Sequence, residues 1–382
     1  LDANNNPVAG AAVAWTADKG TVRFGTQDTT DANGQVSVTF TDTVAETAQI
    51  TAKLGSSSQT EPSVFIGDIA TARVTVVTID TDGSVANGSA TNVATALVLD
   101  VNNNPVANAT VNWTADKTTV VFDTTPSITD AEGHASVAFT DTKAETAQIT
   151  AMSGSIPGKS QSSSFVADAS TAKVVNFITN DLSLVKKMAQ ITVQDANGNM
   201  VSGTKVTWSV DSNNASLSPS AGVTDESGVA SVSIKDFYTE SSTTLSISLD
   251  NGQTSTKTLS FDGVCLDHDE YTFNRDYQVA DGVSRIIVTG FLDNCGEQRS
   301  LTSEEVDAMG EDAYVHFSVS GVGLVSAVSG VTGSRETDAM PEGDRAQGYL
   351  TSTEVGTSVV SITLRGRPDD IMSTGPLDFY AP

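Results

Sequence analysis

One stretch occurs three times and constrains what the rest of the chain can fold into. Leu1-Asp2 opens an Asn-rich turn that ends at Pro7-Val8 and leads to Trp15. Leu99-Asp100 does the same as far as Pro105-Val106 and Trp113, and Gln194-Asp195 as far as Met200-Val201 and Trp208. In each copy the tryptophan lies 13 residues beyond the aspartate. Asp and Asn in succession are turn chemistry, because their side chains hydrogen-bond the nearby backbone and both tolerate the left-handed region. The flanking segments are therefore expected to be strands. Beyond the turn, apolar or small residues alternate (Ala109, Val111, Trp113; Thr204, Val206, Trp208), which places each tryptophan on the buried face of a half-buried strand.

A second punctuation follows in every copy: Asp31 to Gly34, Asp130 to Gly133 and Asp225 to Gly228 each introduce a strand of strict period two, such as Ala135, Val137, Phe139. Further strands run through Ile50, Ile149 and, more loosely, Ile247, and a last one carries Phe65, Phe165 or Phe261. With opening strands over residues 72–79 and 94–99, a complete repeat holds about seven short strands and no helix of note, the pattern of a two-sheet antiparallel sandwich. The repeated aspartates are 98 and 95 residues apart. That period is domain-sized, longer than a solenoid unit. The expected division is 1–67 (a partial domain without its first strands), 68–167, 168–263 and 264–382. The short junctions at Gly67-Asp68 and Ala167-Asp168 favour a semi-rigid row, a monomeric rod of ~130 Å or more at about 3.3 Å per strand residue.

Charge narrows the partners. The formal net charge is −27, and residues 264–382 hold 7 Lys+Arg against 20 Asp+Glu, or −13. Phosphate backbones and anionic headgroups repel such a chain, so no nucleic-acid partner and no electrostatic membrane docking are expected. Charged residues are only 18% of the total, which suits strand-rich surface modules better than a cytosolic enzyme. No run of eighteen apolar residues exists to span a bilayer as a helix. Because the chain starts inside a repeat, it is expected to be a piece of a longer protein, with any export signal or anchor upstream.

Catalytic signals are weak. His134, His268 and His316 are too scattered for a metal cluster or a triad. Ser183 and Lys186 have the Ser-x-x-Lys spacing of penicillin-recognising enzymes, yet lie in a sandwich-strand region without the partner motifs. Asp80 and Asp82, or Asp267, Asp269 and Glu270, could offer oxygen ligands to calcium near domain ends. Neither set has a full ligand loop, and solvated turn acids are the preferred reading. No catalytic, cofactor-binding or metal-ligating residue is assigned.

The Asp-x-Asn turn with Pro-Val and a Trp strand, Thr-Asp-Ala-Asn-Gly at 30–34, and Glu-Thr-Ala-Gln-Ile-Thr-Ala at 46–52 and 145–151 together resemble the bacterial Ig-like domains, group 1, of the invasin and intimin adhesins. Large plasmid-borne proteins built of these domains are similar as well. The resemblance covers residues 1–263 and implies an all-β fold of tandem immunoglobulin-like β-sandwiches, exported to the cell surface or beyond as stalk and attachment modules. The third repeat departs from it by Met200 in place of Pro and by an extra residue near Thr243.

The last segment is a diverged copy. Leu292-Asp293 stands where Leu99-Asp100 stands, and Phe317 stands for the tryptophan, but 24 residues separate Asp293 from Phe317. The insertion carries Thr302 and Glu305 in capping-box spacing, followed by Val306 and Met309-Gly310, so a short helix is expected. No match to the lectin-like domain that ends invasin and intimin is found. Both cysteines, Cys265 and Cys295, lie in this segment. The exported setting that the resemblance implies favours a disulfide, with two free buried thiols as the alternative.

The resulting expectation is a non-enzymatic extracellular adhesion protein whose repeats form a stalk and whose residues 264–382 form the contact module. The insertion at 296–310, with Glu304, Glu305, Asp307, Glu311 and Asp312 close together, is the candidate contact surface, on the argument that loops on a rigid sandwich carry binding and that rim acids steer a basic partner. The partner is a protein or glycan on another cell or surface appendage. Two rival readings are a purely structural spacer with binding elsewhere and a hydrolase hidden in the last domain.

Overall fold

A computed structural model describes residues 1–26, 29–154, 156–238, 242–275, 277–329 and 331–382, the side chains of 269–271 excepted. The chain divides into two compact units, Leu1–Asp168 and Ala169–Pro382.

In the first unit, residues 68–167 form a complete sandwich. One sheet orders Val121–Phe122, His134–Thr140, Asn92–Leu99 and Arg73–Thr81; the other orders Ser127–Ile128, Thr110–Ala115, Thr146–Met152, Lys159–Val166 and Ser84–Val85. All pairings are antiparallel except the last, in which Lys159–Val166 runs parallel to Ser84–Val85. The pattern in the sequence gives about seven strands; the surplus consists of two-residue strands, too short to show an alternation. Trp113 is 3% exposed and packs in a core with Phe139, Ile149 and Phe165. Its indole N–H donates to Ser127 Oγ at 2.8 Å.

The turn chemistry is visible atom by atom. Asp100 Oδ1 accepts the N–H groups of Asn102 and Asn104, both at 2.8 Å, and Oδ2 accepts Asn104 Nδ2 at 2.9 Å. Asn103 supplies the left-handed residue with φ 66°. Asp195 repeats the arrangement with Asn197, Asn199 and left-handed Gly198. In the second turn, a Cβ on Gly133 would meet the Val98 carbonyl oxygen at 2.6 Å, and one on Gly228 would meet that of Val193 at 2.5 Å. Glycine is needed there for space as well as for φ.

Residues 1–67 show Ala14–Ala17, Thr47–Leu54 and Ser57–Val64 in one sheet, and Arg23–Phe24 paired with Phe40–Thr41. Among the described residues of this stretch nothing stands in the place of Arg73–Thr81 and Asn92–Leu99. Trp15 is accordingly half-buried, packed on Val22, Ala48 and Ile50. Asn104 joins the two sandwiches of this unit: its Nδ2 donates to Thr43 O at 3.0 Å and its Oδ1 accepts Ala45 N–H at 2.9 Å.

In the second unit, residues 168–263 order Lys173–Ser183, Lys186–Gln194, Val229–Lys235 and Ser216–Ser218 in one sheet, and Ala221–Val223, Lys205–Val210, Thr243–Leu249 and Thr254–Leu259 in the other. Trp208 is 2% exposed. The last segment repeats the strand order of residues 68–167. Val264–Phe273, Ile286–Asn294, Arg345–Thr351 and Leu324–Ser326 form one sheet, and Tyr277–Val279, Leu377–Tyr380, Gly356–Leu364, Val315–Gly321 and Glu336–Ala339 the other. Phe317 occupies the tryptophan's strand and is fully buried. The expected helix spans Ser303–Met309.

Candidate functional site

The insertion of the last segment is built around a reciprocal cap. Thr302 Oγ1 accepts the Glu305 N–H at 3.3 Å, while the Glu305 carboxylate accepts the Thr302 N–H at 2.8 Å. The same carboxylate takes two hydrogen bonds from the Arg299 guanidinium, at 2.8 and 2.5 Å. The Arg299 bonds, working against burial, hold the Glu305 carboxyl down to about 2. Val306, Met309, Ala313 and Leu301 turn inward and join the core of the last sandwich.

The five candidate acids thus divide into two sets. Glu304, Asp307 and Glu311 are exposed. Glu305 is committed to the helix start, and Asp312 Oδ1 lies 2.5 Å from Lys235 Nζ, at the end of the strand Val229–Lys235 of the preceding sandwich. Arg365 approaches Glu311 at 4.0 Å. The insertion therefore lies beside the seam between residues 168–263 and 264–382. That seam is dense: the Phe237 ring is buried on the Gly366 backbone, Tyr238 Oη donates to Asp369 Oδ1 at 2.5 Å, and the Arg367 guanidinium stacks on the Tyr238 ring at 4.5 Å. Val185 and Phe237 belong to the same core cluster as Val264, Leu292 and Phe317. The Tyr238 hydrogen bond holds the Asp369 carboxyl below the usual carboxylate range.

Cys265 and Cys295 are bonded to each other, with Cα atoms 5.8 Å apart. The bridge ties the first strand of the last sandwich to the turn that ends Ile286–Asn294, and Arg367 Nη1 lies 3.5 Å from Cys295 Sγ. Ser183 and Lys186 face each other across a hairpin, where the Ser183 hydroxyl is buried without a partner among the described residues. Asp82 accepts from Ser163 Oγ and the Ser164 N–H, and Asp80 from Thr95 Oγ1, so these acids hold the sandwich together. Asp269 and Glu270 lie outside the described side chains. A cavity of about 670 Å³ is lined by Val8, Val13, Trp15, Val36 and Ala52. These are inner-face positions of the first sandwich, so the cavity is an uncovered sheet face rather than a shaped ligand pocket.

Three sets of residues escaped the motif reading. Arg299 and Lys235 are lone cations whose partners are set by the fold. Thr30, Thr129 and Thr224 each bridge the two turns: the Thr129 hydroxyl donates to Val106 O at 2.6 Å and accepts the Ala109 N–H at 2.8 Å. A signal for them existed, since each immediately precedes the Asp of the second turn. Phe237 and Tyr238 were also legible, because aromatic residues follow Asp236 where Thr43-Val44 and Thr142-Lys143 follow the corresponding aspartates.

The family profile of the bacterial Ig-like domain (group 1) matches residues 1–66, 74–166 and 185–262, more than half of the chain. The chain belongs to this family. A relative, the inverse autotransporter adhesin YeeJ of Escherichia coli strain K12, is 32% identical over 370 residues, covering 90% of this chain and 14% of the relative. The chain thus spans a small part of that protein's length. Among solved structures, invasin, a bacterial integrin-binding protein, is 17% identical with a TM-score of 0.43, covering all of this chain and 74% of that one. The Escherichia coli adhesin FdeC is 15% identical with a TM-score of 0.43, covering 83% of this chain and 100% of that one. YeeJ is named an adhesin, and an extracellular or cell-surface location accords with that kinship.

Proposed function

We propose that this chain is a non-enzymatic adhesion segment in which residues 1–263 act as stalk and residues 264–382 contact a protein or glycan on another cell or surface appendage. The observation that carries this reading is the 24-residue passage from Asp293 to Phe317, where the three repeats use 13. The last sandwich keeps the strand order of the repeats and adds a capped helix that exposes Glu304 and Asp307. A sandwich serving only as spacer has no need of that addition. YeeJ, named an adhesin, supports the general role and says nothing of which surface makes contact.

The spacer reading is favoured by one specific observation: Glu305 and Asp312, two of the five candidate acids, are engaged within the chain. The two readings separate when the whole chain is offered to a panel of cells alone, with a Fab against residues 264–382, or with a Fab against 68–167. Contact through the last segment predicts that only the first Fab blocks binding. Binding that survives the first Fab leaves the spacer reading standing.

A further inference from the structure

The last sandwich carries a small pocket along the strand Arg345–Thr351, beside the turn where a Cβ on Gly343 would lie 3.6 Å from Ser303 Oγ at the start of the helix. Strand alternation puts Ala346, Gly348 and Leu350 inward and leaves Arg345, Gln347 and Tyr349 facing out. With Ala327, Ala339, Met340 and Glu342 these outward-facing residues line a cavity of about 170 Å³, whose apolar side is Ala327, Ala339 and Met340. At roughly 30 Å³ per water, the space equals about five or six water molecules, room for one six-membered ring and its substituents.

The polar groups are held in a fixed order. Tyr349 Oη donates to Gln347 Oε1 at 3.0 Å, and Gln347 Nε2 reaches Thr289 Oγ1 at 3.5 Å. The Arg345 guanidinium lies over the Phe291 ring at 5.4 Å, and its Nε points to Asp344. Its two terminal nitrogens donate to nothing among the described residues. Across a tight turn, where the Glu342 N–H bonds Arg345 O at 2.8 Å, the exposed Glu342 carboxylate accepts no hydrogen bond from the described residues and forms no ion pair with Arg345. The pocket therefore presents unused donors from Arg345, unused acceptors from Glu342, an acceptor from Tyr349, whose one O–H is spent on Gln347, and Gln347, which retains one donor and one acceptor position.

Charge and shape select the ligand class. An anion would meet Glu342 in a segment of net −13, with 7 Lys+Arg against 20 Asp+Glu; a cation would meet Arg345. A neutral ring bearing neighbouring hydroxyls satisfies both, since each hydroxyl donates and accepts, and its C–H face suits the wall of Ala327, Ala339 and Met340. We infer that this pocket binds a neutral pyranose unit of a saccharide. The inference deepens the adhesion reading and rests on it for its biological setting. The chemistry serves an animal glycoprotein chain and a bacterial surface polysaccharide alike.

The test is a side-chain NMR titration of the whole disulfide-bonded chain, with glutamine amides and arginine Nε–H groups labelled. The probes are N-acetyllactosamine for the animal source and a rhamnose trisaccharide for the bacterial one, each taken to tens of millimolar. One ring in a shallow site gives a dissociation constant on the order of millimolar. The expected result is that at least one probe shifts Gln347 and Arg345 saturably, and that Gln347→Ala and Tyr349→Ala each weaken binding about tenfold or more with an unchanged melting temperature. The responding probe identifies the source. Absence of shifts with both probes overturns the inference, and so does binding that persists at full strength in Arg345→Ala and Gln347→Ala. Either failure leaves the Fab experiment untouched, so a cell contact blocked by the Fab without saccharide binding refutes this pocket alone. Saccharide binding without Fab-sensitive adhesion refutes the contact reading alone.

Discussion

Equivalent tryptophans in successive repeats are not energetically equivalent. The Trp113 indole N–H is spent on Ser127 Oγ, whereas that of Trp208 is buried with no acceptor among the described residues. Trp113→Phe removes a made hydrogen bond and leaves a hydroxyl wanting; Trp208→Phe removes an unmet donor. In chemical denaturation Trp113→Phe is therefore expected to cost about 1 kcal/mol more than Trp208→Phe, and equal costs would contradict the assigned bonding. Glu305 gives a pH-dependent counterpart. Its carboxyl is held at about 2, against an ordinary value of 4.5, chiefly by Arg299. A depressed folded value means that the staple contributes fully above the ordinary value and is lost as pH falls from 4.5 toward 2. The melting-temperature gap between the native chain and Glu305→Gln should be open at pH 7 and closed near pH 2. A gap independent of pH would show that the Arg299 pairing contributes nothing to stability.

At the scale of elements, legibility followed locality. The turns, the helix and its cap were readable because each is specified within a few residues: Asp100 bonds Asn102 and Asn104, and Thr302 bonds Glu305. The two-residue strands Ser84–Val85 and Ser127–Ile128 were not, because their pairing depends on neighbours far along the chain. The outward-facing pocket residues were hidden for the same reason. Gln347 and Tyr349 read as the polar face of an ordinary strand, and only their meeting with Ala327, Ala339, Met340 and Glu342 makes a cavity. The disulfide joins elements that other forces already bring together, including the Gly296 N–H bonded to Asp262 O. Its removal in a Cys265→Ala, Cys295→Ala double variant should lower the stability of the last sandwich by roughly 3 to 4 kcal/mol in the chain-entropy model, measured by calorimetry. No change would show that the closed loop is equally restricted when unfolded.

At the scale of the whole molecule, the sequence divides the chain by repeats while contact divides it into Leu1–Asp168 and Ala169–Pro382. Within the second unit the reason is physical: Phe237 and Val185 are buried in the cluster that holds the last sandwich together. Truncating Phe237 to Ala should cost about 3 to 5 kcal/mol and, in hydrogen exchange, release protection on both sides of the seam. Release confined to residues 168–263 would mean that the shared cluster is not cooperative. The parallel pairings have a different consequence, which concerns load. In residues 68–167 and in the last sandwich, a strand near the start lies parallel to the final strand, so tension between the two ends slides these strands past each other and strains several hydrogen bonds at once. Among the described residues the third sandwich has no such pair, and its outer strands can peel one bond at a time. Under a pulling force the third sandwich should rupture before residues 68–167 and before the last sandwich, and a single-molecule trace in which residues 68–167 yield earlier would rule this out. On the contact reading proposed above, a protein anchored at one end and gripped at the other would then have a built-in point of give directly behind the residues that grip.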